Sequence, residues 1–180
     1  MTDWHNLIDR NRRFAAGYEG NLSMMPRFPT IVLTCADARV DPAHVLGLGL
    51  GEAVVFRNAG ARVTRDVELE LGILWALASQ VAGDKFRGIE LALVHHTDCG
   101  FERLAHPDLG HALRTKLGVD SAEIEALAIV DHTESLRADI ERLRRSPLVP
   151  KELVVSGHLY DVADGMVREI VAPAPLRTDV

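Results

Sequence analysis

Two short apolar runs constrain this chain more than anything else in it. Residues 30–34 run straight into Cys35, and residues 89–94 run into His95, His96 and, three residues later, Cys99. Both runs are continuous rather than alternating, which predicts strands buried on both faces, as in a parallel sheet. In such a sheet the carboxyl ends of the strands open on the edge where ligands bind. The only two cysteines of the chain therefore emerge at one edge, with imidazoles beside the second and Asp37 and Arg39 just after the first. The pattern reads as a zinc site with its own ion pair.

The remaining sequence supplies the helices that such a sheet needs. Residues 2–20 read as an amphipathic helix with Trp4, Leu7, Ile8 and Phe14 as apolar contacts, packing across the domain or onto a second subunit. Residues 24–29 are a proline-broken connection. Asp41 followed by Pro42 is a helix start, giving a short helix over 42–48. A turn at 49–51 leads into a second buried strand over 53–56 and a loop over 57–60. Residues 64–82 form a helix stopped by Gly83. It is apolar on nearly every side, through Val67, Leu69, Leu71, Ile73, Leu74, Trp75, Leu77 and Val81, and so calls for neighbours on more than one face, as at a subunit interface. A third strand covers 89–95, with helices near 110–117 and 122–129. Asp131 and Glu134 make a capping-box start for a helix carrying Leu136, Ile140 and Leu143, which Pro147 and Pro150 end. A fourth strand over 153–156 and a fifth over 166–171 flank a turn at 161–165, short enough for an antiparallel hairpin. The proline-rich tail from Pro173 is expected to be loosely held. Strands alternating with helical patterns indicate one α/β domain over 1–180, with a mainly parallel sheet flanked by helices. The glycines at 47, 49 and 51 precede a strand instead of following one, the wrong context for a dinucleotide fingerprint.

Composition excludes several classes. A net charge of −6 with no basic run argues against a nucleic-acid partner. No apolar stretch reaches the roughly 18 residues that span a membrane. The first residues lack the basic-then-apolar pattern of a secretory signal, so a cytoplasmic protein is expected. In a reducing compartment a cysteine–histidine cluster holds metal more readily than a disulfide.

Cys35, His96 and Cys99 would offer zinc two sulfurs and a nitrogen, leaving the open fourth position that catalytic sites keep. Thiolates favour zinc over magnesium or calcium. Spacing alone does not choose between His95 and His96, although strand alternation turns only one of them to the metal. Asp37 could take the fourth position, or orient a zinc-bound water while Arg39 holds it off the metal; the planar fork of arginine suits that task. The plainer alternatives are two buried small hydrophobes and a structural ion pair. Elsewhere, His106 and His111 read as solvated and His132 as exposed. His158 and Tyr160 read as packing residues, and Arg142, Arg144 and Arg145 as a solvated helix end.

Cys35-x-Asp37-x-Arg39, then Val54 to Gly60, then His96-x-x-Cys99-Gly100, resembles the β-class carbonic anhydrase family in order and spacing. The form of these motifs is similar to a short-chain branch that includes carbonyl sulfide and carbon disulfide hydrolases. The resemblance implies four parallel strands extended by a fifth and a homodimer whose N-terminal helix embraces the partner subunit. It also implies Zn2+ on Cys35, His96 and Cys99, with Asp37–Arg39 as the catalytic dyad and Asp37 as fourth ligand in a closed state. Substrate would meet Val54, Ala59, Gly60 and the N–H of Gly100. The implied reaction is reversible hydration of carbon dioxide to bicarbonate by zinc-bound hydroxide. The alternatives are carbonyl sulfide hydrolysis at the same site and a non-catalytic zinc or thiol-redox module. Two departures bear on substrate: Pro26 replaces a frequent glutamine, and Val54 a frequent aromatic.

Overall fold

A computed structural model describes residues 2–177. Its centre is a five-stranded sheet built from β1 (Thr30–Cys35), β2 (Val54–Asn58), β3 (Glu90–His96), β4 (Val154–Tyr160) and β5 (Val167–Pro175). The spatial order is β2-β1-β3-β4-β5. The first four strands are parallel and β5 is antiparallel to β4. The expected α/β architecture is thus present, with β1 and β3 adjacent and interior. Their side chains are buried nearly end to end, which is why both sequences run apolar without alternation.

The described residues also form six α-helices, of which α3 and α6 pack on the sheet: α1 (Asp3–Ala16), α2 (Pro42–Val45), α3 (Arg65–Ala82), α4 (Pro107–Leu117), α5 (Ser121–Leu127) and α6 (His132–Arg145). Asp41 caps α2 by accepting from the Ala43 N–H, as the Asp-Pro signal predicts, but α2 ends at Val45, short of residue 48. Thr64 caps α3 and Asp131 caps α6 through their side chains. The core lies between α3, α6 and the sheet, where Leu33, Leu71, Leu91, Leu93, Leu136 and Leu143 are at most 2% exposed. A smaller cluster of Cys35, Val40, Ala61, Cys99 and Ile129, with Phe101 against it, forms an apolar floor at the carboxyl edge.

Two expectations need correction. β2 is not a fully buried strand: it is the edge of the sheet and alternates in exposure, with Val55 41% exposed. The tail is not loose, because β5 continues to Pro175, which pairs with Val154, and Leu176 is buried. An edge strand tolerates the prolines, since one side of it needs no ladder N–H. The apolar character of α3 on more than one face is present as expected, one face in the core and another open. Leu69, Ile73, Leu77 and Val81, at four-residue intervals, form an exposed stripe along it. The expected N-terminal helix, α1, stops at Ala16 and buries none of its residues.

Candidate metal centre

Parallel pairing of β1 with β3 fixes the site. Thr34 lies opposite Val94, so Cys35 leaves the sheet beside the His95–His96 end of β3. The donor atoms of Cys35, His96 and Cys99 lie within 4.8 Å of one another, and all three residues are buried. Among the described residues no other group of His, Cys, Asp and Glu converges in this way.

The structure separates the two histidines. The His96 Nδ1–H donates to the Thr97 carbonyl at 2.9 Å, which leaves Nε2 as a lone-pair nitrogen. That Nε2 is buried and has no hydrogen-bond partner, the condition of a ligand atom awaiting an ion. Burial pulls the basicity of His96 down, but the adjacent Cys35 sulfur outweighs it and raises the pKa. His95 points elsewhere. Burial, reinforced by His132 and Arg62, pushes it down to about 3, so the ring is neutral.

One of the two sulfurs is prepared for ionisation. Cys35 receives the Cys99 thiol hydrogen and, against the penalty of burial, the N–H groups of Asp37 and Gly60, which together with the neighbouring His96 ring lower its pKa to about 4. Cys99, beside that sulfur and buried, is pushed up, although the Phe101 N–H donates to it. Two such sulfurs and a free imidazole nitrogen are a soft donor set that fits zinc.

Asp37 and Arg39 form a bidentate pair. Arg39 Nε donates to Asp37 Oδ1 at 3.0 Å and Nη2 to Oδ2 at 2.7 Å, and the Arg39 backbone N–H adds a third bond at 2.8 Å. Arg39 thereby holds the Asp37 carboxyl below the usual carboxylate range. The same guanidinium reaches Asp98 Oδ2 at 2.7 Å and the Asp98 carbonyl at 2.9 Å. One side chain therefore ties the Cys35 loop to the Cys99 loop, where Asp98 sits at φ +55°. Arg57 clamps the first loop from β2, donating to the carbonyls of Cys35 and Asp37 and to the Asp41 carboxylate at 2.7–3.1 Å.

Of the residues expected on the substrate side, Gly100 is exposed beside Cys99, with nothing within 4 Å of where a Cβ would stand. Gly60 is buried at φ +78°, its N–H on the Cys35 sulfur and Phe101 in the space a Cβ would need. Ala59 is exposed next to it. Val54 lies elsewhere. It pairs with Ile31 at the amino end of the sheet, whereas Cys35 pairs with Asn58. It lines an apolar groove of about 360 Å³ with Met24, Met25, Pro26, Leu74 and Leu77.

Sequence reasoning missed several supports of the site. Arg57 and Asp98 lie inside the quoted motifs, but no spacing rule marks their contacts. Glu102 accepts from the Cys99 N–H at 2.8 Å and from His132 at 2.9 Å. Its position three residues after a cap was the available signal. His132, expected to be exposed, is only 15% exposed because that contact folds it inward.

Comparison with known proteins agrees with this geometry. The family model described as carbonic anhydrase matches residues 30–117. Beta-carbonic anhydrase 1 of Mycobacterium bovis is 32% identical over 170 residues, covering 94% of this chain and 99% of that one. A carbon disulfide hydrolase of Acidianus is 28% identical over 163 residues, covering 77% and 75%. The crystal structure of a carbonic anhydrase from Streptococcus mutans superposes with a TM-score of 0.77 at 36% identity, covering 94% and 98%. The chain belongs to the β-carbonic anhydrase family, and it is an enzyme of that family, which depends on a metal.

Proposed function

We propose that the protein is a zinc enzyme that reversibly hydrates carbon dioxide to bicarbonate. The observation that carries this reading is the convergence of Cys35, His96 and Cys99, with an unpartnered imidazole nitrogen, beside a carboxylate locked by arginine. Zinc would be held by those three residues and would supply Lewis-acid activation of water. The chain's own residues do the rest. Ionised Asp37 is an acceptor only, so it orients a donor in front of it, and Arg39 fixes its direction through three bonds. Taking the fourth metal position would require Asp37 to give up those bonds, so the arrangement here matches an open site. The space over Gly100 leaves room for a small substrate.

Two copies make the better functional unit. α1 buries nothing and α3 exposes its apolar stripe, so a homodimer covers both. Val54 and Pro26 line the far groove, so they meet substrate only at the metal centre of a second copy. Two metal-ligating thiols also favour the reducing cytoplasm.

A second reading keeps the site and changes the substrate to carbonyl sulfide. It is favoured by the apolar, methionine-lined groove in which Pro26 and Val54 stand, with no side-chain amide to hold an oxygen. The deciding experiment is kcat/KM for carbon dioxide against carbonyl sulfide on zinc-loaded protein. Preference for carbon dioxide supports the first reading, and preference for the sulfide reassigns the enzyme. Full activity in a Cys35→Ser protein shown to be metal-free would overturn both.

A further inference from the structure

Three elements meet behind Cys99 without being part of the donor set. Cys99 opens a turn of 3-10 helix over Gly100–Ala105, and Glu102 in that turn reaches back to the Cys99 N–H at 2.8 Å. The same oxygen, Oε1, lies 2.9 Å from His132 Nε2 on the first turn of α6. An oxygen that already takes an N–H as a carboxylate acceptor fixes the roles. His132 Nε2 carries the hydrogen, and its Nδ1 is the acceptor facing His95 Nδ1 at 3.4 Å. His95 directly precedes His96 on β3 and is 1% exposed. A continuous path therefore runs from β3 beside one ligand, through α6, to the backbone of the other ligand.

The arrangement is more than a local cap. A cap needs only Glu102 and the Cys99 N–H, and an exposed glutamate is free to leave it. Here His132, anchored on a helix whose Leu136, Ile140 and Leu143 are in the core, holds the carboxylate in one place. The separation of Cys99 from His96 is thus referred to the rigid core instead of to the loop alone. Ligand orientation by such outer contacts commonly changes metal affinity about 10- to 100-fold.

We propose that Glu102 and His132 are positioning residues that set the Cys99 backbone for metal retention, with His95 as the packing partner that orients His132. This rests on the zinc reading of the Cys35–His96–Cys99 cluster. The carboxylate restricts the Cys99 peptide, so the entropy of ordering the second sulfur is met during folding and not during metal capture.

The test measures the zinc dissociation constant of the full-length protein by competition with a chromophoric chelator. It also records the sulfur-to-cobalt absorption of the Co2+ form, for the parent, Glu102→Ala, Glu102→Gln and His132→Ala. Stoichiometric, tight zinc in the parent establishes the site itself; a parent that takes up no zinc overturns the zinc reading and this proposal with it. With the parent binding, the expected result is a loss of about 10- to 100-fold in affinity for Glu102→Ala and a smaller loss for His132→Ala. Glu102→Gln, which keeps an acceptor oxygen, restores most of the affinity. The cobalt band weakens or shifts in the alanine variants. Zinc affinity within twofold of the parent in His132→Ala and in any folded Glu102→Ala protein, with unchanged cobalt spectra, overturns the positioning role even if stability falls. If Glu102→Ala does not fold, His132→Ala and Glu102→Gln decide the matter by the same criteria.

Discussion

Replacing Arg62 by methionine should produce a stability loss that shrinks in acid. Arg62 and Asp139 are nearly buried, with side chains 9% and 4% exposed. They share two hydrogen bonds, at 2.8 and 3.1 Å, and Arg62 also donates to the Ala128 carbonyl at 2.8 Å. Removing one partner of a buried pair costs about 3–5 kcal/mol, because the charge left behind has no water to return to. The groups facing Asp139 are Arg62, the neutral His95 ring at 3.9 Å and, more distantly, Arg142. Burial already raises the Asp139 pKa, even against the pull of Arg62. Without Arg62 it must rise further. A carboxyl with a raised folded pKa holds its proton more tightly folded than unfolded. The stability tied to that proton is therefore complete below the ordinary aspartate range and is lost as pH rises through the folded pKa. The unfolded state is common to both proteins, so the deficit of Arg62→Met relative to parent should grow with pH by up to about 1.4 kcal/mol per unit between the folded pKa of Asp139 in the parent and its higher folded pKa in the variant. Urea unfolding of both proteins at pH 5 and pH 8, at one ionic strength and one protomer concentration, gives the difference directly. A deficit under about 1 kcal/mol at pH 8, or one equal at both pH values, would refute the reasoning. Arg62→Met with Asp139→Leu should recover much of the loss, since no charge remains to be orphaned.

Other substitutions probe the site and the packing separately. Gly60→Ala places a Cβ 2.9 Å from Phe101 in a backbone at φ +78°, so it should cost about 2–4 kcal/mol in thermal or urea unfolding and lower bound zinc per chain. Gly72→Ala gains roughly 1 kcal/mol of helix propensity but sets its Cβ 2.5 Å from the Leu148 carbonyl oxygen; a net loss of about 1–3 kcal/mol is expected, and a stabilised protein would show that the 147–149 segment yields freely. Arg57→Leu removes all three donors to the Cys35–Asp41 loop while leaving the metal donors in place. It should retain stoichiometric zinc yet lose about tenfold or more in kcat, and an unchanged kcat would mean that the loop holds itself.

The parallel sheet and its carboxyl-edge site were legible because burial on both faces leaves a direct mark on composition. β1 and β3 show it, and their paired ends deliver Cys35 and His96. β2 misled because a short apolar run looks the same at an edge as in the interior until its neighbours are known. The tail misled because proline signals broken structure locally, while β5 is held to Pro175 by pairing with β4. His96 was separated from His95 by the hydrogen bond of its other ring nitrogen to Thr97, and spacing carries no information on ring orientation. The Glu102–His132 and Arg62–Asp139 contacts join residues 30 and 77 positions apart, and neither pair has a periodicity that would announce it.

The adjacency of β1 and β3 also sets a schedule. Cys35 and Cys99 are 64 residues apart, and neither His96 nor Cys99 exists when β1 leaves the ribosome. At about 5–20 residues per second the first thiol waits roughly 3–13 s for its companions. A nascent chain halted before residue 96 has a single sulfur and neither of its companions. The donor set is thus complete only after more than half of the chain has been made, and its geometry depends on the pairing of the two interior strands.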